Sequence, residues 1–148
     1  MAQDFVGAGI AFPLRTDRTG RLALVRETRE IEEAVRLILA TAPGERPMRP
    51  EFGCRVHEYV FAPADAQTAG DIATAVRQAL DRWEPRITVE DVLVSLDGAA
   101  DGVLYIDVRY QVRGTNDPRN LVFPFYVIPR EDSGDAAALP ALPRALEA

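Results

Sequence analysis

The sequence predicts an α+β fold, two main helices packed on a small, largely antiparallel sheet of three to four strands. Three observations predict it. Apolar residues recur at helical spacing in two segments, one beginning near Thr28 and one near Asp65. From Ile87 onward the spacing changes to alternation, the period of strands with one buried face. Proline and glycine punctuate the chain at 43–53, 85, 97–102 and 114–118, so turns separate the elements.

Residues 1–20 are glycine-rich and read as an irregular N-terminal arm, followed by a short strand or extended stretch at Leu22, Ala23, Leu24 and Val25. In the first helix, Ile31, Val35, Ile38 and Leu39 share one face. Glu27, Glu30, Glu32 and Glu33 crowd its first turns, where the helix dipole favours anions. Pro43-Gly44 ends it. Residues 41–54 then hold three prolines and two glycines around two arginines and two glutamates. Proline fixes φ and glycine opens conformations other residues avoid, so this is a rigid, irregular loop. It presents Arg46, Met48, Arg49 and Phe52 for contact, although Phe52 also suits the core, and Glu45 or Glu51 could pin the arginines.

The short run 56–61 fits either a helix or a strand. In the second helix, Ile72, Val76, Leu80 and Trp83 form a core stripe, with Ala75 and Ala79 allowing close packing against the first helix. Pro85 disfavours helical geometry at Glu84 and stops it there.

Ile87, Val89, Val92, Val94 and Leu96 form an apolar strand interrupted at Glu90-Asp91, the mark of a bulge. After a turn at 97–102, Leu104, Ile106, Val108, Tyr110 and Val112 alternate with Tyr105, Asp107, Arg109, Gln111 and Arg113. A second turn, 114–118, leads to Leu121, Phe123, Phe125 and Val127. Pro124 lies inside that last run; it cannot donate to a ladder, so the strand is an edge. Edges offer unpaired backbone groups to other chains. The organisation is therefore an arm at 1–20, one domain at 21–129, and an Ala/Pro/Leu-rich extension at 130–148.

At 148 residues and 47% hydrophobic, the chain can bury one sizeable core. A net charge of −6 argues against a nucleic-acid binder. No apolar run approaches the ~20 residues that span a bilayer. The first residues lack the basic and apolar regions of a signal peptide, and the single cysteine, Cys54, fits a reducing compartment. Synthesis and assembly in the cytoplasm are expected, with export only inside a larger particle. All 17 basic residues are arginine, as a GC-rich genome favours; planar guanidinium groups also suit interfaces.

Candidate chemistry is sparse. His57 follows Cys54 by three residues, but a nucleophilic pair needs a third orienting group, and a packed thiol with a surface imidazole is the plainer reading. One Cys and one His do not make a metal site, and no motif selects a glycosidase pair among 23 acidic residues. Gly7-Ala8-Gly9 precedes no strand-to-helix phosphate cradle. No catalytic residue, metal or cofactor is expected.

Four motifs occur in order: Gly7-Ala8-Gly9 with Phe12-Pro13, the loop from Gly44 to Gly53, Glu84-Pro85-Arg86, and the strand pair at 110–122. Together they resemble the small baseplate wedge proteins of contractile phage tails and related injection machines, the GPW family, over roughly residues 5–128. The resemblance implies a structural subunit present in several copies around the central tube. It would bind larger wedge subunits and inner tube or hub proteins, and seed the first ring of sheath protein. It further implies that Glu84, Pro85 and Arg86, at an exposed helix–strand junction, contact another subunit. Arg46, Met48, Arg49 and Phe52 join that surface. The sheath-facing edge comprises Tyr105, Arg109, Arg113, Leu121, Val122 and Phe123. A local Glu84–Arg86 ion pair is the structural alternative for the triplet. A lysozyme-like label attached to some members makes a peptidoglycan hydrolase the rival reading, and a free regulatory adaptor the third.

Overall fold

The computed structural model describes residues 7–26, 28–114 and 117–128; the expected extension at 130–148 and Glu27 lie outside them. The stretch read as an irregular arm contains a strand, β1 (Ala8–Ile10), which pairs antiparallel with β2 (Leu24–Arg26). Ala11 N–H donating to Ala23 O, and Ala23 N–H to Arg15 O, prolong this ribbon towards its tip. Gly9 and Val25 form its inward face, and Val25 is buried.

Helix α1 (Thr28–Ala40) buries the predicted stripe Ile31, Val35, Ile38 and Leu39. The ambiguous run resolves as a 3-10 turn (Arg55–Tyr59) that buries Val56. Helix α2 (Ala66–Trp83) begins where the Asp65 carboxylate accepts from Thr68 N–H, an N-cap that also holds the Asp65 pKa below its ordinary value. It buries Ile72, Val76, Ala79 and Leu80.

Strands β3 (Ile87–Ser95), β4 (Val103–Val112) and β5 (Asp117–Tyr126) form an antiparallel sheet in the order β3-β4-β5. The main sheet thus has three strands, and the additional pairing belongs to the separate β1-β2 ribbon. The β3–β4 register shifts between Val89 and Asp91, where Glu90-Asp91 interrupts the apolar run. Leu104, Ile106, Val108, Tyr110 and Val112 all point into the core, against both helices and the β5 residues Leu121 and Phe125. One continuous apolar cluster therefore sets the positions of the loop, the helix–strand junction and the sheet edge.

Candidate functional site

Glu84 sits where α2 must end: its N–H still donates to Leu80 O, but the backbone then turns out of the helix before Pro85. The structure corrects the expectation of an exposed junction, because Glu84 is 3% exposed. Its two carboxylate oxygens accept from Arg86 Nε and Nη2, each at 2.6 Å, in a bidentate pair. Arg86 Nη1 also pairs with Glu30 of α1. The hydrogen bonds it donates to Glu84 and then to Glu30 push the Arg86 guanidinium's pKa up, so it stays charged. A half-buried guanidinium between two carboxylates follows from burial: each charge removed from water needs its partner. Only Pro85 and the open side of Arg86 face outward.

Sequence reasoning missed Glu30. Its carboxylate lies under Gly9, where an added Cβ would come within 2.8 Å of Glu30 Cγ. The signal was present in the Gly-x-Gly motif, whose second glycine admits this side chain. Glu33 fastens the ribbon beside it, accepting from Phe12 N–H at 2.9 Å and pairing with Arg15. Two of the recognised motifs therefore meet at α1.

The loop after α1 is rigid in detail. Gly44 N–H donates to Pro50 O, Arg49 N–H to Arg46 O, Phe52 N–H to Arg49 O, and Cys54 N–H to Thr41 O. Glu45 pins the backbone by accepting from Ala42 N–H. Gly53 has φ +121°, and any Cβ there would fall 2.2 Å from Thr41 O. Phe52 packs on Trp83 of α2, with ring centroids 5.2 Å apart, and the Arg46 guanidinium lies 4.4 Å above the Phe52 ring. Phe52 and Arg46 thus bind the loop to α2, whereas Met48 projects at 92% exposure beside exposed Arg49. Next to this loop an open groove of about 260 Å³ is lined by Glu51, Arg55, Gln78 and Arg82 among others.

The two sheet edges differ. Along β3, Arg77 of α2 donates to Val89 O and Glu90 O and covers the bulge. On β5, Pro118 and Pro124 share the parity whose N–H would point away from β4, opposite Gln111 and Tyr105. Ile128, of the same parity, donates outward to Val60 O, while Val127 donates inward to Gly102 O. The outward donors are therefore Asn120, Val122 and Tyr126, which have no backbone partner among the described residues. Of the residues assigned to this edge, only Val122 is exposed on the edge strand itself. Tyr105 and Arg109 lie on the central strand β4 and Arg113 just past its end, so the structure corrects these three to the exposed face of the sheet rather than its edge. Leu121 is buried and Phe123 packs against the core, and the backbone of both faces β4, so neither is open to an incoming strand.

Cys54 is fully buried, and burial raises its thiol pKa. His57 is half-buried rather than on the surface: its Nε2 lies 3.0 Å from Leu39 O and its ring meets Phe125 edge-on. That ring nitrogen is engaged with backbone and not with the thiol. Among the described residues, no helix is long and apolar enough to cross a membrane.

The family model described as baseplate wedge protein gp25 matches residues 25–117. Baseplate wedge protein gp25 of Enterobacteria phage T4 is 31% identical over 84 residues, 57% of this chain and 63% of the phage protein, so the chain spans less than two thirds of that relative. Baseplate protein W of Escherichia phage P2 is 27% identical over 68% of this chain and 85% of its own length. A crystal structure from Geobacter sulfurreducens, of a protein proposed to be a tail lysozyme, is 48% identical with a TM-score of 0.65, covering 72% of this chain and 97% of that one. A chain of the anti-feeding prophage baseplate shares the fold at 21% identity and a TM-score of 0.59, over 84% of this chain and 89% of its own. With the family model covering most of the described residues and its motifs meeting at α1, this chain belongs to the baseplate wedge protein gp25 family.

Proposed function

We propose that the chain is a non-enzymatic structural subunit of a contractile injection machine, assembled in the cytoplasm, that joins wedge subunits to the tube and sheath and seeds the first sheath ring. The observation that carries this reading is the β5 edge, which keeps outward donors at Asn120, Val122 and Tyr126, whereas on β3 Arg77 takes the bulge carbonyls of Val89 and Glu90. An incoming strand would take its affinity from these backbone groups and its register from the gaps at Pro118 and Pro124. The wedge-facing surface comprises Met48, Arg49 and the stacked Arg46 and Phe52. Pro85 and the open side of Arg86 extend it, with Glu84 holding Arg86 in place.

Val122→Pro tests the reading. Its N–H faces outward, so the domain should fold and enter baseplates, yet electron micrographs should show no sheath on them. Normally sheathed particles would mean that the sheath docks elsewhere. The hydrolase reading rests on the likeness to the Geobacter sulfurreducens protein. A cell-wall zymogram with a cleared band at 16.3 kDa would establish it in place of the structural role.

A further inference from the structure

The β1–β2 ribbon carries a surface that neither the loop nor the β5 edge uses. Ile10 and Leu24 are paired residues and therefore stand on one face, opposite buried Val25. Both are more than half exposed, as are Phe12, Leu14 and Leu22 along the same hairpin. Among the described residues, five of the twelve exposed large hydrophobic side chains thus fall within fifteen residues. Single exposed apolar residues are ordinary, but a cluster of this kind marks a contact.

The rim of this cluster has a sign. Residues 7–26 hold four arginines, Arg15, Arg18, Arg21 and Arg26, against one acid, Asp17, a net +3 on a chain of net −6. Asp17 is engaged locally, accepting from Thr19 and from Arg21 N–H. Arg18, Arg21 and Arg26 have no carboxylate partner among the described residues. An apolar centre rimmed by arginine is the anatomy of an interface rather than of a solvated face. Like charges would oppose each other if two ribbons met face to face, which argues against a symmetric dimer through this patch.

We propose that the outer face of the ribbon docks an acidic segment of another protein, its apolar side chains covering Ile10 and Leu24 and its carboxylates meeting Arg18, Arg21 and Arg26. This surface is independent of the sheath reading, since it lies on a different sheet from β5. Glu33 anchors the ribbon to α1 through Phe12 N–H and Arg15, so the docking face is held in place before the partner arrives.

Fluorescence anisotropy tests it with two labelled amphipathic peptides of the same leucine pattern, one with glutamate and one with lysine on the polar face. The full chain should bind the glutamate peptide at least 10-fold more tightly than the lysine peptide, and the binding should weaken as salt rises. Ile10→Thr with Leu24→Thr should abolish binding while circular dichroism and melting temperature stay near wild type. If that variant fails to fold, Arg18→Gln with Arg21→Gln takes its place and should weaken binding at least 5-fold. Equal binding of both peptides, or of neither, overturns the proposal. So does ribbon-dependent self-association in sedimentation, which would make a second copy the occupant. Peptide binding that appears only after deletion of residues 130–148 overturns it as well, since the chain's own segment would then be the occupant. Competition by phosphatidylglycerol vesicles but not by phosphatidylcholine would assign the face to an anionic membrane instead.

Discussion

Replacing Arg86 by alanine would leave Glu84 buried at 3% exposure with its bidentate partner gone, and Glu30 without its cation. Stranding one member of a buried pair costs about 3–5 kcal/mol; with Arg86 partly exposed, roughly 3 kcal/mol is expected in urea unfolding. Glu84→Ala with Arg86→Ala removes both charges and should lose less than Arg86→Ala alone, a non-additivity that a double-mutant cycle reads directly. A double variant as unstable as the sum of the singles would refute the coupling. Tyr110 offers a second test. Its hydroxyl is buried with no partner among the described residues, and burial, reinforced by Glu32, pushes its pKa up to about 12. A folded-state pKa above the unfolded ~10 favours folding fully below pH ~10, and that contribution disappears as pH rises towards 12. Tyr110→Phe should therefore melt at or above the wild-type temperature at pH 7 and flatten the loss between pH 10 and 12. A drop of more than ~1 kcal/mol at pH 7 would reveal a hidden partner for the hydroxyl. At this scale the sequence was half legible. Glu84 and Arg86 are two residues apart, so their pairing was a visible alternative. Glu30 lies 56 residues from Arg86, and only the packing of α1 beside the end of α2 joins them.

Among the elements, the loop between α1 and the 3-10 turn divides its labour between holding and presenting. Arg46 and Phe52 stack towards Trp83, a contact worth about 0.5–1 kcal/mol for the cation–π part, so Arg46→Ala should lower both stability and partner binding. Met48→Ser with Arg49→Ala touches only exposed side chains, and its stability should stay within about 0.5 kcal/mol of wild type. Pull-down with the wedge subunits should nonetheless fall by at least 10-fold. Undiminished capture would remove the loop tip from the interface. Both helices, the β3 bulge and the β4 alternation were readable because hydrophobic period is dictated by which face is buried. The run 56–61 was not, since six residues carry too little periodicity to separate a short helical turn from a strand. β1 was hidden for another reason. A three-residue strand with a glycine at its centre has almost no propensity of its own, and it forms because β2 and α1 supply its partners.

The whole molecule places its candidate contacts on separate regions: the loop beside the end of α2, the outward edge of β5, and the ribbon fastened to α1. A subunit that links needs its contacts on one copy, and this distinguishes a bridge from an adaptor that serves partners in turn. Co-expression of two single-surface variants exposes the difference. The Met48→Ser, Arg49→Ala protein should fail to enter baseplates, whereas the Val122→Pro protein should enter but leave them without sheath. Neither defect can be repaired by the other copy, because a molecule absent from the baseplate cannot lend its β5 edge to one that is present. Purified baseplates from the mixed expression should contain only the Val122→Pro chain by mass spectrometry, and micrographs should show them unsheathed. Restoration of sheathed particles by the mixture would mean that the two surfaces act on different molecules, and the chain would not be a bridge between wedge and sheath.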